Sequence, residues 1–351
     1  MMMKKNITIS AAALLCALAL AGCSGKMEQP GAELCFDAVV EDELPLSKAA
    51  GEITDITSKS LGVFACNTGR YRYADSNANP DFMYNEQVYH DGSRWTYDIP
   101  KYWPEGYVSF FAYAPYSDGT AGCISSFSDQ DEKGNPWLTY QLSAKVGDQV
   151  DLLYAEALTD WTRPSTPTPL TFSFKHALAC VGERVSVACS DALKKALTAE
   201  VTSTAVDRIR VLVNSVGVTY HLTAKARLVL WNSGDANWQP ILSGDVMTDR
   251  TVDYLSGGSG VAYDTSDTSD TAVTGWTSEG EKGVFYIPLD VAGNTQSADI
   301  SVEYTIERTT GAVVSTSTVS VGSSLQLRSN AEAFAPGKKM DLKVQLIRST
   351  P

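Results

Sequence analysis

Basic residues and histidines are scarce in this chain. Its 351 residues hold 28 Lys and Arg against 41 Asp and Glu, a formal charge of −13, with three histidines. An acidic surface repels phosphates, which excludes nucleic acid as a partner and suits a protein that must stay dissolved outside a cell. His90, His176 and His221 lie far apart, and none sits in an H-E-x-x-H pattern, so no catalytic zinc is expected. There is no C-x-x-C pair to read as a zinc or redox site. Gly257-Gly-Ser-Gly260 has the wrong spacing for a nucleophile elbow, and the abundant carboxylates show no spacing that singles out a glycosidase pair. No enzyme activity and no cofactor are expected. Past residue 22, no apolar run is long enough to span a bilayer.

What is present begins with the first 23 residues. Lys4 and Lys5, an apolar run from Ala11 to Leu20, and then Leu20-Ala21-Gly22-Cys23 read as an export signal ending in a lipobox. Residues 1–22 are the expected signal peptide and Cys23 the lipidated residue. Several acyl chains, each methylene worth roughly 0.8 kcal/mol of burial, would anchor the protein without a membrane-spanning helix. Cleavage removes two lysines and no acid, taking the charge from −13 to −15. Ser24 and Gly25 open a polar tether, and the absence of Asp at position 24 favours the outer membrane.

Besides Cys23, the mature chain holds Cys35, Cys66, Cys123, Cys180 and Cys189. An odd number cannot all pair, and Cys180 and Cys189 lie an odd number of residues apart in one strand-like stretch. Buried free thiols are the expectation.

Short apolar runs separated by Gly, Asn, Asp, Ser and Pro point to an all-β sandwich fold. Strands are expected at 33–40, 61–66, 107–116, 138–142, 170–181 and 183–189, with turns at Asp91-Gly92, Asp118-Gly119 and Gly134-Asn135. In the first strand, Leu34, Phe36, Ala38 and Val40 share one face. A helix capped by Ser190 is expected over 191–200. A second strand series follows at 206–213, 217–222, 226–231, 284–289, 299–307, 312–321 and 340–347, interrupted by a long exposed loop at 256–277. The expected organisation is a tether and N-terminal strand at 23–48, then sandwiches at 49–200 and 201–351.

Two acidic stretches resemble calcium loops only superficially. Asp129-Gln-Asp131-Glu-Lys133-Gly134 puts a lysine where an oxygen ligand is needed, and Asp264, Asp267 and Asp270 repeat every three residues rather than in alternation. Val108, Phe110, Ala112 and Ala114 alternate with Ser109, Phe111 and Tyr113, leaving both faces largely apolar, as in a central strand. Trp95, Tyr102 and Trp103, beside prolines and turn residues, are the candidates for sugar stacking.

Several runs, in order, carry a family resemblance: Leu61-Gly-Val-Phe-Ala-Cys-Asn-Thr-Gly69, Arg94-Trp-Thr-Tyr97, Tyr102-Trp-Pro104, Val108-Ser-Phe-Phe-Ala-Tyr-Ala-Pro-Tyr116, Asp151-Leu-Leu-Tyr-Ala155, Phe172-Ser-Phe-Lys-His-Ala-Leu178 and Phe334-Ala-Pro-Gly-Lys338. Together they resemble the fimbrillin family of Bacteroidetes lipoproteins, more strongly in the first half than over 230–330. The resemblance implies two tandem transthyretin-like β-sandwich domains and a subunit of type V pili. It further implies that a trypsin-like protease removes the first strand and a neighbouring subunit's strand fills the vacated groove, a form of β-augmentation. Ser47-Lys48-Ala49 lies where members of that family often carry an arginine before an alanine, and arginine is absent between Cys23 and Arg70, so the cut the resemblance implies follows Lys48, leaving Ala49 as the new terminus. The candidate donor is Met340 to Ile347, where Leu342, Val344 and Leu346 share a face, unless the chain uses that strand within its own second domain. The expected partners are other pilus subunits through strand exchange and the outer membrane through the lipid on Cys23. The alternative function is a monomeric outer-membrane lipoprotein that binds glycans or host proteins.

Overall fold

The computed structural model describes residues 32–41, 52–232, 234–256, 260–267, 274–277, 283–291, 293–327 and 334–347. These form an almost all-β protein of four sheets with one α-helix, Asp191–Ser203. The largest sheet runs, in spatial order, Phe36–Val40, Leu170–His176, Leu153–Ala155, Tyr107–Ala114, Leu61–Gly69, Met83–His90 and Trp95–Thr96, with Leu158–Trp161 also paired to Tyr107–Ala114. Its central strands are apolar on both sides because both sides are covered: Val108 through Ala114 are all buried. One face, carrying Val63, Phe110, Phe172 and Phe174, packs under Leu34, Ile53, Ile56, Trp95, Tyr97 and Trp103. The opposite face, carrying Phe64, Phe111 and Tyr113, packs on a smaller sheet made of Ile124–Phe127, Trp137–Gln141, Lys225–Val229 and Asn237–Pro240.

That smaller sheet crosses the boundary expected at residue 200. Lys225–Val229 pairs antiparallel with Trp137–Gln141, and Ala226, Leu228 and Leu230 join the same core as Phe64 and Tyr140. The core then continues without a break to Val211, Tyr220 and Leu346. Packing partners, which chain order does not specify, decide the grouping.

The third sheet is built around Arg208–Thr223, one 16-residue strand where two are expected. In the gap between the two expected strands, Asn214 Nδ2 donates to Thr305 Oγ1 at 2.8 Å and the strand passes through, with register breaks between Val213 and Ser215 on one side and between Val216 and Gly217 on the other. Its neighbours are Met247–Leu255 and Gly260–Asp264 on one side and Ser297–Thr310 on the other, with Val313–Gln326 outermost. Gly260–Asp264 and Thr274–Thr277 are strands inside the stretch expected to be loop. The acid that suggested a solvated segment, Asp264, is held by Arg208 and Arg210 of the adjacent strand.

The fourth sheet places Ala179–Cys189 antiparallel to Thr274–Thr277 and Val284–Tyr286, and parallel to the C-terminal strand Lys339–Leu346. Gly182, at φ +69°, lies in the irregularity between Val181 and Val185, where the hydroxyls of Tyr220 and Tyr254 occupy the space a side chain would need. Cys66, Cys123, Cys180 and Cys189 are buried free thiols, and Cys35 is a half-buried one. Burial pushes the Cys66 thiol up to about 12. Ser190 caps the helix as expected, its Oγ accepting from Leu193 N at 3.3 Å. The helix runs three residues past the expected end, to Ser203, and Glu200 pairs with Arg308 at 2.5 Å.

Candidate assembly site

The edge strand Phe36–Val40 is the best-formed binding geometry in the described residues. Alternation directs Phe36 and Ala38 inward and Asp37 and Val39 outward, and Leu34 just before the strand is also buried. Phe36 stacks on Phe172 at 5.4 Å between ring centroids, meets Phe110 edge-on at 5.9 Å and lies 5.8 Å from Tyr97. Its backbone pairs on one side only, parallel to Leu170–His176, in register from Phe36 opposite Leu170 to Val40 opposite Phe174. The ends are tied separately. Leu34 N donates to Lys101 O at 2.8 Å, Trp103 N to Ala32 O at 3.0 Å, and Tyr97 Oη to Leu34 O at 2.7 Å. At the far end Glu41 N donates to Phe174 O, and the Glu41 carboxylate lies 3.5 Å from Lys175 Nζ.

This arrangement is a peptide lying in an apolar cleft along a sheet edge. Affinity comes from backbone hydrogen bonds, and register from alternate side chains in pockets. Val40, half-buried at the end of the strand, packs on the same core as Leu34, Phe36 and Ala38, so the four residues share one face as expected.

Where the described chain resumes after the edge strand, four charged side chains gather. Glu52 pairs with Lys339 through one oxygen, and its other oxygen lies 3.4 Å from His176 Nε2. His176 Nδ1 is 2.9 Å from Asp151 Oδ2, which also accepts from Ile53 N at 2.9 Å. All four side chains are largely buried. Burial alone would lower the His176 pKa, but the hydrogen bond to Asp151 and the charges of Asp151 and Glu52 outweigh it, and the net shift is upward. The cluster therefore fastens residues 52–53 to the end of Leu170–His176 and to the first residue of the C-terminal strand.

Sequence reasoning missed this cluster. Asp151 and His176 stood within quoted motifs, but nothing in their spacing joins them to Glu52 or Lys339. The other histidines serve elsewhere: His90 packs on Trp95, and His221 bridges Asp249 at 2.7 Å and Asp299 at 3.1 Å across three strands.

Trp95 and Trp103 do not have the exposure that sugar stacking requires. Each is only 7% exposed, and Trp103 is packed edge-on against Phe110 within the core that holds the edge strand. Tyr102 is exposed, and its backbone forms an antiparallel bridge to Glu33. Cys23, Lys48 and Ala49 lie outside the described residues. The candidate donor strand is engaged within its own chain: Lys339–Leu346 pairs with Ala179–Cys189, with Leu342 and Leu346 buried. Among the described residues, no helix is long and apolar enough to cross a membrane.

A model of a fimbrillin-like family matches residues 51–237, over half of the chain. That span takes in the strand pairing that crosses residue 200. The chain is 29% identical over 181 residues to the fimbrium subunit Fim1C of Phocaeicola vulgatus, a stretch that makes up 47% of this chain and 48% of that protein. The match thus spans about half the length of this curated relative. Among solved structures, a fimbrial protein from Bacteroides vulgatus is similar with a TM-score of 0.61, covering 90% of this chain and 95% of that one at 22% identity. That likeness is one of fold.

Proposed function

The chain belongs to the fimbrillin-like family, and we propose that it is a structural or adhesive subunit of a cell-surface fimbria, exported as a lipoprotein and assembled by strand exchange at the Phe36–Val40 edge. Two tandem transthyretin-like sandwiches are the architecture this reading assumes. Cys23 carries the lipid that brings the subunit to the outer membrane, and cleavage between Lys48 and Ala49 separates the edge strand from the body. The observation that carries the reading is the one-sided pairing of Phe36–Val40 combined with burial of Leu34, Phe36 and Ala38. Losing that strand would uncover Phe110, Phe172 and Tyr97, at a cost of several kcal/mol judged from ordinary side-chain burial. An incoming strand with the same alternation would recover it. The Glu52 cluster lies on the body side of the proposed cut and would keep the new terminus fastened while the preceding residues leave.

Donation by the chain's own Lys339–Leu346 strand would require it to leave its place beside Ala179–Cys189, so this strand is assigned no donor role here. Limited trypsin digestion of the purified precursor tests the proposal, read by N-terminal sequencing and sizing. A new terminus at Ala49 accompanied by oligomers is the expected result. A product cut at Ala49 that stays strictly monomeric, or a linker that resists cleavage, would count against exchange.

A further inference from the structure

Val313–Gln326 is the outermost strand of the third sheet, 14 residues long, without a single charge or proline. A sheet edge offers unpaired backbone groups to any other strand, and proteins ordinarily blunt such edges by shortness, charge or proline. The other outer strands of the described sheets follow that rule. Trp95–Thr96, Ile124–Phe127, Thr274–Thr277 and Val284–Tyr286 are short, Asn237–Pro240 ends in proline, and Phe36–Val40 carries Asp37. At the opposite edge of the same sheet, Met247–Leu255 carries Asp249, Arg250 and Asp253. Among the described residues, only Val313–Gln326 is both long and unguarded, since the eight-residue Lys339–Leu346, which also pairs with a single strand, carries Lys339, Asp341 and Lys343.

The hairpin register shows which groups face outward. Thr310 stands opposite Val313 across a turn at Gly311, and Leu327 N donates to Gln296 O at 2.8 Å in the same register. Odd-numbered residues therefore bond inward to Ser297–Thr310, while Val314, Thr316, Thr318, Ser320, Gly322 and Ser324 direct their N–H and C=O groups away from the sheet. Val319 and Leu325 pack partly on the core, whereas Val321, on the same face, is 39% exposed. The apolar face thus reaches the edge and stops there uncovered.

We propose that Val313–Gln326 docks antiparallel to the same strand of a second copy of this chain, about a two-fold axis at Ser320, so that two sheets become one. An uncharged edge offers nothing to a charged partner. Copies of a chain with net charge −13 repel each other wherever their acids meet, and this strand brings none to the contact. The two-fold register sets Ser320 opposite itself, Thr318 opposite Gly322 and Thr316 opposite Ser324, all with outward-facing backbone groups. It also places Val319 against Val321 twice on the core face. The nearest acids are on the adjoining strand, where Glu303 would face its counterpart and Glu307 would face Asp299 of the second copy, each across three strand spacings, about 14 Å, beyond a Debye length of about 8 Å. The two-fold closes on itself, so the product is a dimer with no free edge at this position. No segment has to be removed, which separates this contact from exchange at Phe36–Val40.

Sedimentation of the intact, uncut full chain from about 1 to 100 μM, where contacts of micromolar affinity appear, is the test. A monomer–dimer equilibrium is expected. Ser320→Pro removes an outward N–H without losing a bond inside the hairpin, so it should return the chain to monomer with unchanged circular dichroism and melting. Ser320→Cys should cross-link two copies on mild oxidation, since residues paired in this way stand about 5.5 Å apart at Cα, within disulfide reach. A chain that stays monomeric and shows no Ser320→Cys cross-link overturns the proposal. So does a dimer that survives Ser320→Pro, or an open-ended polymer.

Discussion

Phe36–Val40 and Val313–Gln326 are both outer strands, yet they are held by opposite means. The first is five residues long and seats Phe36 and Ala38 in a closed apolar cleft. The second is 14 residues long, leaves nearly every side chain exposed, and is held by hairpin register to a single neighbour. Side-chain burial, more than strand length, measures how firmly an edge is anchored. Loss of the short strand would empty an apolar cleft, whereas a partner added to the long one would displace nothing it already has. On the two proposals made above, the same molecule carries one edge for replacement and another for addition.

The most direct way to break this comparison is to truncate one side chain at each edge. Phe36→Ala should destabilise the intact chain by about 3–4 kcal/mol, as for a fully packed core aromatic, while Val321→Ala should change it by less than about 0.5 kcal/mol. Denaturant midpoints of the two variants measure the difference. Equal effects would mean that the cleft around Phe36 does not hold the strand.

A smaller effect is expected from the charge cluster behind the first edge. Glu52→Ala leaves Lys339 and His176 largely buried with less compensation and should cost roughly 2–3 kcal/mol, below the full value for a completely buried pair because the side chains keep some exposure. Hydrogen exchange should speed up at both Leu170–His176 and Lys339–Leu346, because the cluster joins them. A loss confined to residues near 52 would show that it fastens nothing beyond its own segment.

The smallest effect is a pH dependence. His176 has its pKa raised above the usual 6.5 in the folded chain. Its protonated form therefore adds stability that is fully present below pH 6.5 and is lost as pH rises through the raised value. His221, whose pKa is raised first by its hydrogen bond to Asp249, acts in the same direction at a more exposed site. Denaturant midpoints followed upward from about pH 6 should fall, and His176→Gln should remove part of that slope. A variant with the wild-type slope would assign the dependence to His221 or to other groups.

The alternation at Leu34, Phe36 and Ala38 made the edge strand legible in the sequence, because a period of two with one apolar face has one simple meaning. The doubly apolar stretch from Val108 to Ala114 was legible for a similar reason, and so was the helix behind Ser190. The turns at Gly92, Gly119 and Gly134 stand where positive φ is needed. Strands such as Leu153–Ala155 and Ile124–Phe127 were not legible, being too short for their periodicity to show. Gly260–Asp264 was hidden by a composition that reads as loop until Arg208 and Arg210 are placed beside Asp264.

By itself, the sequence determined the all-β class, the inward face of the first strand and the family motifs, since these depend on local periodicity and on the order of residues along the chain. Tertiary structure alone decided that residues 225–240 complete the sheet begun at residue 124, that Trp95 and Trp103 are core rather than surface, and that Glu52, Asp151, His176 and Lys339 meet. It also decided that one uncharged strand would be left at an open edge. Each of these depends on which distant segments share a sheet or a cleft, and that is settled by the packing of complementary faces and by the pairing of buried charges.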